Sequence, residues 1–161
     1  MSRDAANHVQ LTIDGITVSV PHGTTIFDAA RAADISIPTL CHQQNENPVG
    51  VCRVCVVDVG QRVYAASCIR QVEPGMNVKT NTEAVLGVRN TLVELLMSDH
   101  PSPCARQQHS ADCELERLAA QAGITQPRFP PRTTPRGNDN SSLAIQVDHE
   151  ACILCDRCIR G

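Results

Sequence analysis

LCHQQNENPVGVCRVCVVDVGQRVYAASC, residues 40–68, carries four cysteines, Cys41, Cys52, Cys55 and Cys68, with ten, two and twelve residues between them. Asn45, Asn47, Pro48 and Gly50 fill the first gap, so residues 35–52 read as an irregular loop. A loop of that length in a small domain usually serves a function. Four converging thiolates suit either tetrahedral zinc or an iron–sulfur cluster. Zinc ribbons and fingers present two close ligand pairs, whereas only Cys52 and Cys55 form one here. Two bridged irons are wider than one zinc ion and suit ligands spread around a wrapping loop. Gly50 lets the backbone approach closely. The amides of Val51, Arg53 and Val54 are placed to donate hydrogen bonds to the sulfurs, which stabilise and tune a cluster. His42 is expected to be exposed, because a Rieske arrangement needs two histidines in place of two cysteines.

The flanks supply a scaffold. Residues 9–20, VQLTIDGITVSV, alternate apolar and polar around Asp14-Gly15 and predict a β-hairpin. Pro21, His22 and Gly23 break it. Thr24 or Thr25 then caps a helix through IFDAARAAD, with Ile26, Ala29, Ala30 and Ala33 on one face. VCVVDV and RVYAASC form a second strand pair joined at Gly60-Gln61, and residues 72–80 a last short strand. Strand, strand, helix, loop, strand, strand is the order of a β-grasp domain, so the expected class is α+β. From Thr82 the period becomes helical, with Val85, Val88, Leu92, Leu95 and Leu96 recurring until Asp99-His100-Pro101. A further helix fits Cys113 to Ala122, stopped by Gly123. QPRFPPRTTPRGNDNSS, residues 126–142, reads as a Pro-rich linker with Arg128, Arg132 and Arg136 solvated. LAIQV at 143–147 reads as a strand.

C-x10-C-x2-C-x12-C, together with GVCRVCVVDV in a β-grasp pattern, resembles the N-terminal iron–sulfur region of the complex I large peripheral (75 kDa-like) subunit family. That family includes iron–sulfur regions of NAD-linked formate dehydrogenases and hydrogenases and glutamate-synthase-like oxidoreductase subunits. The plant-type C-x4-C-x2-C spacing is not met. The resemblance implies Cys41, Cys52, Cys55 and Cys68 as ligands of a 2Fe–2S cluster. It also implies a 4Fe–4S site in DHPSPCARQQHSADCELE, where the family carries H-x3-C-x2-C-x5-C. His100, Cys104 and Cys113 fall on that pattern, but Gln107 stands where the middle cysteine belongs. Three readings stay open: no cluster, a cluster with three protein ligands, or a mixed N/S zinc site of His100, Cys104, His109 and Cys113.

CILCDRC gives Cys152, Cys155 and Cys158 in C-x2-C-x2-C, the start of a bacterial 4Fe–4S ferredoxin motif whose next cysteine follows three residues later. Ile159, Arg160 and Gly161 occupy those three positions. The fourth ligand is therefore absent from these residues, and the expectation is that of a piece of a longer protein. Arg157 and Arg160 either offset cluster charge or are solvated.

Composition narrows the function. The 161 residues carry a formal charge of −3 and 2 % aromatics, with no Trp. Nucleic-acid binding needs a basic face and stacking aromatics, so it is not expected. No window reaches 18 apolar residues, which predicts no membrane span. The polar start, MSRDAANHVQ, does not read as a signal peptide, so a cytoplasmic protein is expected. Nine thiols in a reducing compartment are metal ligands before they are disulfides. No Gly-rich dinucleotide fingerprint and no nucleophile–base constellation are present. The expected organisation is a 2Fe–2S domain over 1–82, a helical His/Cys region over 83–125, the linker over 126–142 and a truncated ferredoxin-like start over 143–161. The expected function is one-electron relay in a cytosolic oxidoreductase complex. Flavin and NAD(P) sites would lie in partner subunits or other domains, with no catalytic residue in this chain. The alternatives are a docking module with structural zinc and a cluster-based redox sensor.

Overall fold

A computed structural model describes residues 8–160. Residues 1–7, on which most of the signal-peptide reading rests, and Gly161 of the terminal motif lie outside the described residues. The chain divides into two compact units, 8–89 with 156–160, and 90–155.

The first unit is built on the hairpin. β1 (His8–Ile13) and β2 (Ile16–Pro21) pair antiparallel from Ile13↔Ile16 to His8↔Pro21. Asp14 and Gly15 turn the chain with φ 48° and 86°, the left-handed pair that matches the twist of a two-residue hairpin. Asp14 also accepts from the Thr80 amide at 2.7 Å and from its hydroxyl at 2.5 Å. Alternation places Val9, Leu11, Ile13, Val18 and Val20 inside. Helix α1 (Ile26–Ala32) buries Ile26, Ala29 and Ala30. Its N-cap Thr25 accepts from the Asp28 amide at 3.1 Å and donates to Asp28 Oδ2 at 2.8 Å, a reciprocal cap that secures the first turn.

The expected strand pair after the loop is present but short. β3 (Val56–Val57) and β4 (Ala65–Ala66) pair antiparallel, and β5 (Asn77–Val78) adds parallel to β1, giving the order β2-β1-β5 beside a separate β3-β4 pair. The long strands read from VCVVDV and RVYAASC shrink because Asp58 leaves the ladder. It bridges to Lys79, and its carboxylate accepts from Gly60 N–H at 2.7 Å. Cys55 and Cys68 thus sit just outside the two-residue ladder, yet both belong to the same apolar core as Leu11, Ile26, Val57 and Val78.

Helix α2 (Glu83–Ser98) starts with Val85 N–H donating to Thr82 Oγ1 at 3.2 Å. Its buried face differs from the leucine stripe expected. Val85, Arg89, Val93, Glu94 and Met97 are buried, while Leu95 is 45 % exposed. Two charged residues lie on the inner face because each is fully engaged. In the first unit, Arg89 donates to Val54 O at 3.1 Å, Val56 O at 2.8 Å and Thr80 O at 3.2 Å. In the second, Glu94 receives Arg128 through its Nε, its Nη2 and its backbone N–H at 2.7–2.9 Å.

The second unit contains α3 (Ala105–Ser110), which periodicity did not signal, α4 (Glu114–Gln121), and a small ladder of β6 (Asn138–Asp139) with β7 (Val147–Asp148). Gly123, at φ +69°, follows α4 as expected. Two expectations are corrected. LAIQV is not a strand up to Val147, because Ser142 Oγ accepts from the amides of Ala144 and Ile145 and turns the backbone, leaving Leu143 and Ile145 exposed. The arginines of 126–142 are not merely solvated. Arg128 pairs with Glu94, Arg132 with Asp99 and Glu150, and Arg136 with Asp99. Among the described residues no helix is long and apolar enough to cross a membrane.

The Arg89 fork yields a test. Replacing Arg89 with Leu would orphan three buried carbonyls, at about 1–3 kcal/mol each. A loss of roughly 3 kcal/mol or more in urea unfolding is expected. Leu86→Ala, on the exposed side of the same helix, should change the midpoint little.

Candidate metal centres

The first centre grows from the loop of residues 40–55. Left-handed backbone at Asn45, Gly50 and Arg53 bends it. Gly50 is required on two counts: φ is +65°, and a Cβ there would meet Ile69 Cδ1 at 3.0 Å. The loop carries Cys41, Cys52 and Cys55 inward, and the β3–β4 register brings up Cys68; all four are buried. Ser67 clamps the hairpin by donating its N–H and its hydroxyl to Cys55 O, at 3.2 and 2.8 Å.

The sulfurs form two pairs. Cys55 Sγ and Cys68 Sγ are 3.4 Å apart and hydrogen-bonded, a separation at which two thiolates can share one metal ion. Cys52 faces the side chain of Cys41. The hydrogen bond from Cys68 pulls Cys55 down to about 6, and the same bond pushes Cys68 well up. Burial pushes Cys52 up, against amide hydrogen bonds from Val54, Cys41 and Leu40. The Val54 amide therefore acts as the sequence suggested. Two buried thiol pairs, three cysteines from the loop and Cys68 from beyond β4, fit the donor set of a binuclear iron–sulfur core.

Cations surround this loop. The Arg89 guanidinium sits on the carbonyls flanking Cys55 and interacts with its thiolate, while burial lowers the guanidinium's pKa. α5 (Arg157–Arg160) belongs to the same unit. Arg157 donates to His42 O at 3.3 Å, and Arg160 donates to Asn47 O at 2.6 Å and to Cys41 O. These two arginines are engaged by the loop rather than solvated. His42 is buried, a correction to the exposed position expected; its ring stands edge-on to Phe27 at 5.2 Å. The loop folds over α1, and that packing was not encoded in the cysteine spacing.

The second centre lies in residues 90–155. His100, Cys104, Cys113 and Glu116 present four ligand atoms all within 4.8 Å of one another. Cys104 caps α3 through its sulfur, and Cys113 stands at the N-cap position of α4. Glu116, in the first turn of α4, is the residue sequence reasoning missed. Its signal was Cys113-x2-Glu116, an i, i+3 pair on one helical face. His109 is exposed on α3 and is not among the four. Gln107 offers no donor to the cluster: its Oε1 accepts from Cys113 N–H at 3.1 Å. Burial pushes the Cys104 thiol up to about 11.

The terminal cysteines are less enclosed. Cys152 and Cys155 are half-buried and Cys158 is exposed. Leu154 and Asp156 adopt left-handed backbone, and the Leu154 amide donates to Cys152 Sγ at 3.4 Å.

Comparison with known proteins agrees with this donor chemistry. Residues 6–83 match the family described as a 2Fe-2S iron-sulfur cluster binding domain. The chain is 45 % identical over 154 residues to the HndD subunit of the NADP-reducing hydrogenase of Solidesulfovibrio fructosivorans, covering 92 % of this chain and 26 % of that one. It is 35 % identical to the gamma subunit of the NAD-reducing hydrogenase HoxS of Cupriavidus necator, covering 94 % and 64 %. It is 32 % identical to the mitochondrial NADH-ubiquinone oxidoreductase 78 kDa subunit of Candida albicans, covering 94 % and 22 %. A chain in the crystal structure of an NAD+-reducing [NiFe]-hydrogenase in the H2-reduced state superposes with TM-score 0.86 at 35 % identity, covering 94 % of this chain and 64 % of that one. The chain thus spans between 22 % and 64 % of these relatives.

The shared proton of the Cys55–Cys68 pair sets a pH dependence for the metal-free, reduced chain. Cys55 is depressed from 9.0 to about 6, so its contribution is present above the unfolded value and lost as pH falls through 6. Cys68 is raised, so its contribution is lost above pH 9.0. Urea midpoints should rise from pH 6 toward 9 and fall beyond, and a Cys55→Ser/Cys68→Ser double variant should flatten the profile.

Proposed function

Because residues 6–83 match the family described as a 2Fe-2S iron-sulfur cluster binding domain, we propose that the chain is an electron-relay segment of an NAD(P)-linked oxidoreductase complex. The carrying observation is the pairing of the four buried cysteines, with Cys55 and Cys68 sulfurs 3.4 Å apart and Cys52 against Cys41. Cys41, Cys52, Cys55 and Cys68 would hold the cluster, and a bound 2Fe–2S cluster supplies a one-electron couple without making or breaking substrate bonds. The protein's part is to desolvate the sulfurs, donate amide hydrogen bonds to them and set fixed positive charge beside them through Arg89. That charge favours the reduced, more negative state and so raises the potential. The cover is thin at one point: Cys52 is buried while its neighbour Val51 is 48 % exposed.

A β-grasp domain over 1–82 holds this relay in our reading. Cys152, Cys155 and Cys158 begin a second, 4Fe–4S, relay, supported by the left-handed turns at Leu154 and Asp156. The fourth ligand, the flavin, the NAD(P) site and the substrate chemistry belong to other parts of the protein or to partner subunits in the cytoplasm. The relatives' names carry this assignment: NAD- or NADP-reducing hydrogenase subunits and an NADH-ubiquinone oxidoreductase subunit.

Anaerobic purification should give a coloured protein with iron, acid-labile sulfide and an EPR signal on reduction. Cys55→Ser should abolish the 2Fe–2S absorption and destabilise residues 40–68, because metal binding is coupled to folding. Native iron content and stability in that variant would contradict the assignment.

A further inference from the structure

We infer that His100 Nε2, Cys104 Sγ, Cys113 Sγ and the Glu116 carboxylate form a closed, redox-inert site for a single tetrahedral Zn2+ ion in the second unit. The four ligand atoms lie within 4.8 Å of one another. Zinc holds thiolate sulfur at about 2.3 Å and imidazole nitrogen at about 2.0–2.1 Å, so such a pair on one tetrahedral ion stands about 3.6 Å apart. Cys113 Sγ and His100 Nε2 are 3.7 Å apart, and His100 Nε2 and Glu116 Oε1 3.8 Å. A cubane cluster would bind its ligands at four different irons and spread them farther outward, so one ion fits this spacing better.

The surroundings are arranged as a metal site requires. His100 Nδ1 meets Ala151 O at 3.1 Å; donating there, it leaves the Nε2 lone pair facing the other three ligands, the usual outer-shell support of a ligating histidine. Glu116 is anchored by Cys104 N–H at 2.8 Å and by Ser102 Oγ at 3.2 Å. Cys104 Sγ accepts from the Gln107 amide at 3.4 Å. Gln107 therefore braces both cysteines, through its own N–H and through Cys113 N–H, and leaves the fourth ligand position to Glu116. All four side chains are at most 12 % exposed or belong to buried residues. A cavity of about 700 Å³ reaches His100, Gln107 and Glu116 and provides an entry path. Two thiolates, one imidazole and one carboxylate are donors zinc accepts. With four protein ligands no position is open for water, so the role is structural.

The test uses the full chain expressed with both iron and zinc supplied, with metals counted per chain by mass spectrometry. One zinc per chain is expected, retained in Cys55→Ser and lost in Cys113→Ser. Glu116→Gln keeps an oxygen acceptor for Cys104 N–H and should preserve the fold by circular dichroism. Its zinc affinity, read by competition with a chromophoric chelator, should fall at least about tenfold, since even outer-shell changes cost 10–100-fold. Cobalt replacing zinc should give tetrahedral visible bands with thiolate charge transfer, altered in Glu116→Gln. Absence of zinc from the wild type, loss of iron and sulfide instead of zinc in Cys113→Ser, or unchanged zinc affinity in Glu116→Gln would overturn the inference. Should Cys113→Ser fail to fold, Glu116→Gln alone decides.

Discussion

The approach of Cys55 to Cys68 is the contact around which the first unit is organised. Two thiols buried in an apolar core at that separation cannot both ionise, because their charges would repel in a poorly solvating medium. One proton held between them removes the conflict in the metal-free chain, and a positively charged metal core removes it more completely. The rest follows from holding that pair in place. The hairpin β3–β4 is clamped by Ser67, the β1–β2–β5 sheet and α1 provide the wall, and the loop of residues 40–55 closes over it.

Two buried charges on α2, Arg89 and Glu94, are handled on the same principle, each lying inside with its polar atoms engaged. Arg89 meets three carbonyls, and Glu94 meets the Arg128 side chain and amide. Removing one member of such a set costs far more than the set contributes over an apolar replacement. Arg89 therefore ties the first half of α2 into the first unit, and Glu94 ties the second half to Arg128 within the second.

Much of this was legible in the residues. The Asp14-Gly15 turn, the Thr25 cap and the period-two alternation of β1 are local signals, and each produced its element where expected. The loop of residues 35–52 was legible from its turn formers, and Cys41, Cys52, Cys55 and Cys68 are buried; their part as cluster ligands comes from the family resemblance. What escaped was non-local. Arg89 interrupts an apolar stripe, and the carbonyls it meets, those of Val54 and Val56 distant in sequence and that of Thr80, explain it. Glu116 looked like any first-turn acid stabilising a helix N-terminus. Its nearness to His100 depends on how α3 and α4 meet through Gln107. The strand expected at 143–147 failed for a local reason that hydrophobic content conceals, since the Ser142 hydroxyl captures two amides the strand would need. His42 was misjudged because an aromatic partner, Phe27, lies on another element.

Arg160 has a consequence for biogenesis. It donates to the carbonyl of Cys41 across a separation of 119 residues, and Arg157 reaches His42 O across 115. On a translating ribosome the hairpin, α1 and the cysteine-bearing loop emerge long before these arginines do. The nascent loop thus passes through an interval in which its sulfur donors are all synthesised but its last carbonyl partners are not. Before the chain has grown to residues 157–160, the carbonyls of Cys41 and His42 lack the two guanidinium donors that meet them in the folded unit.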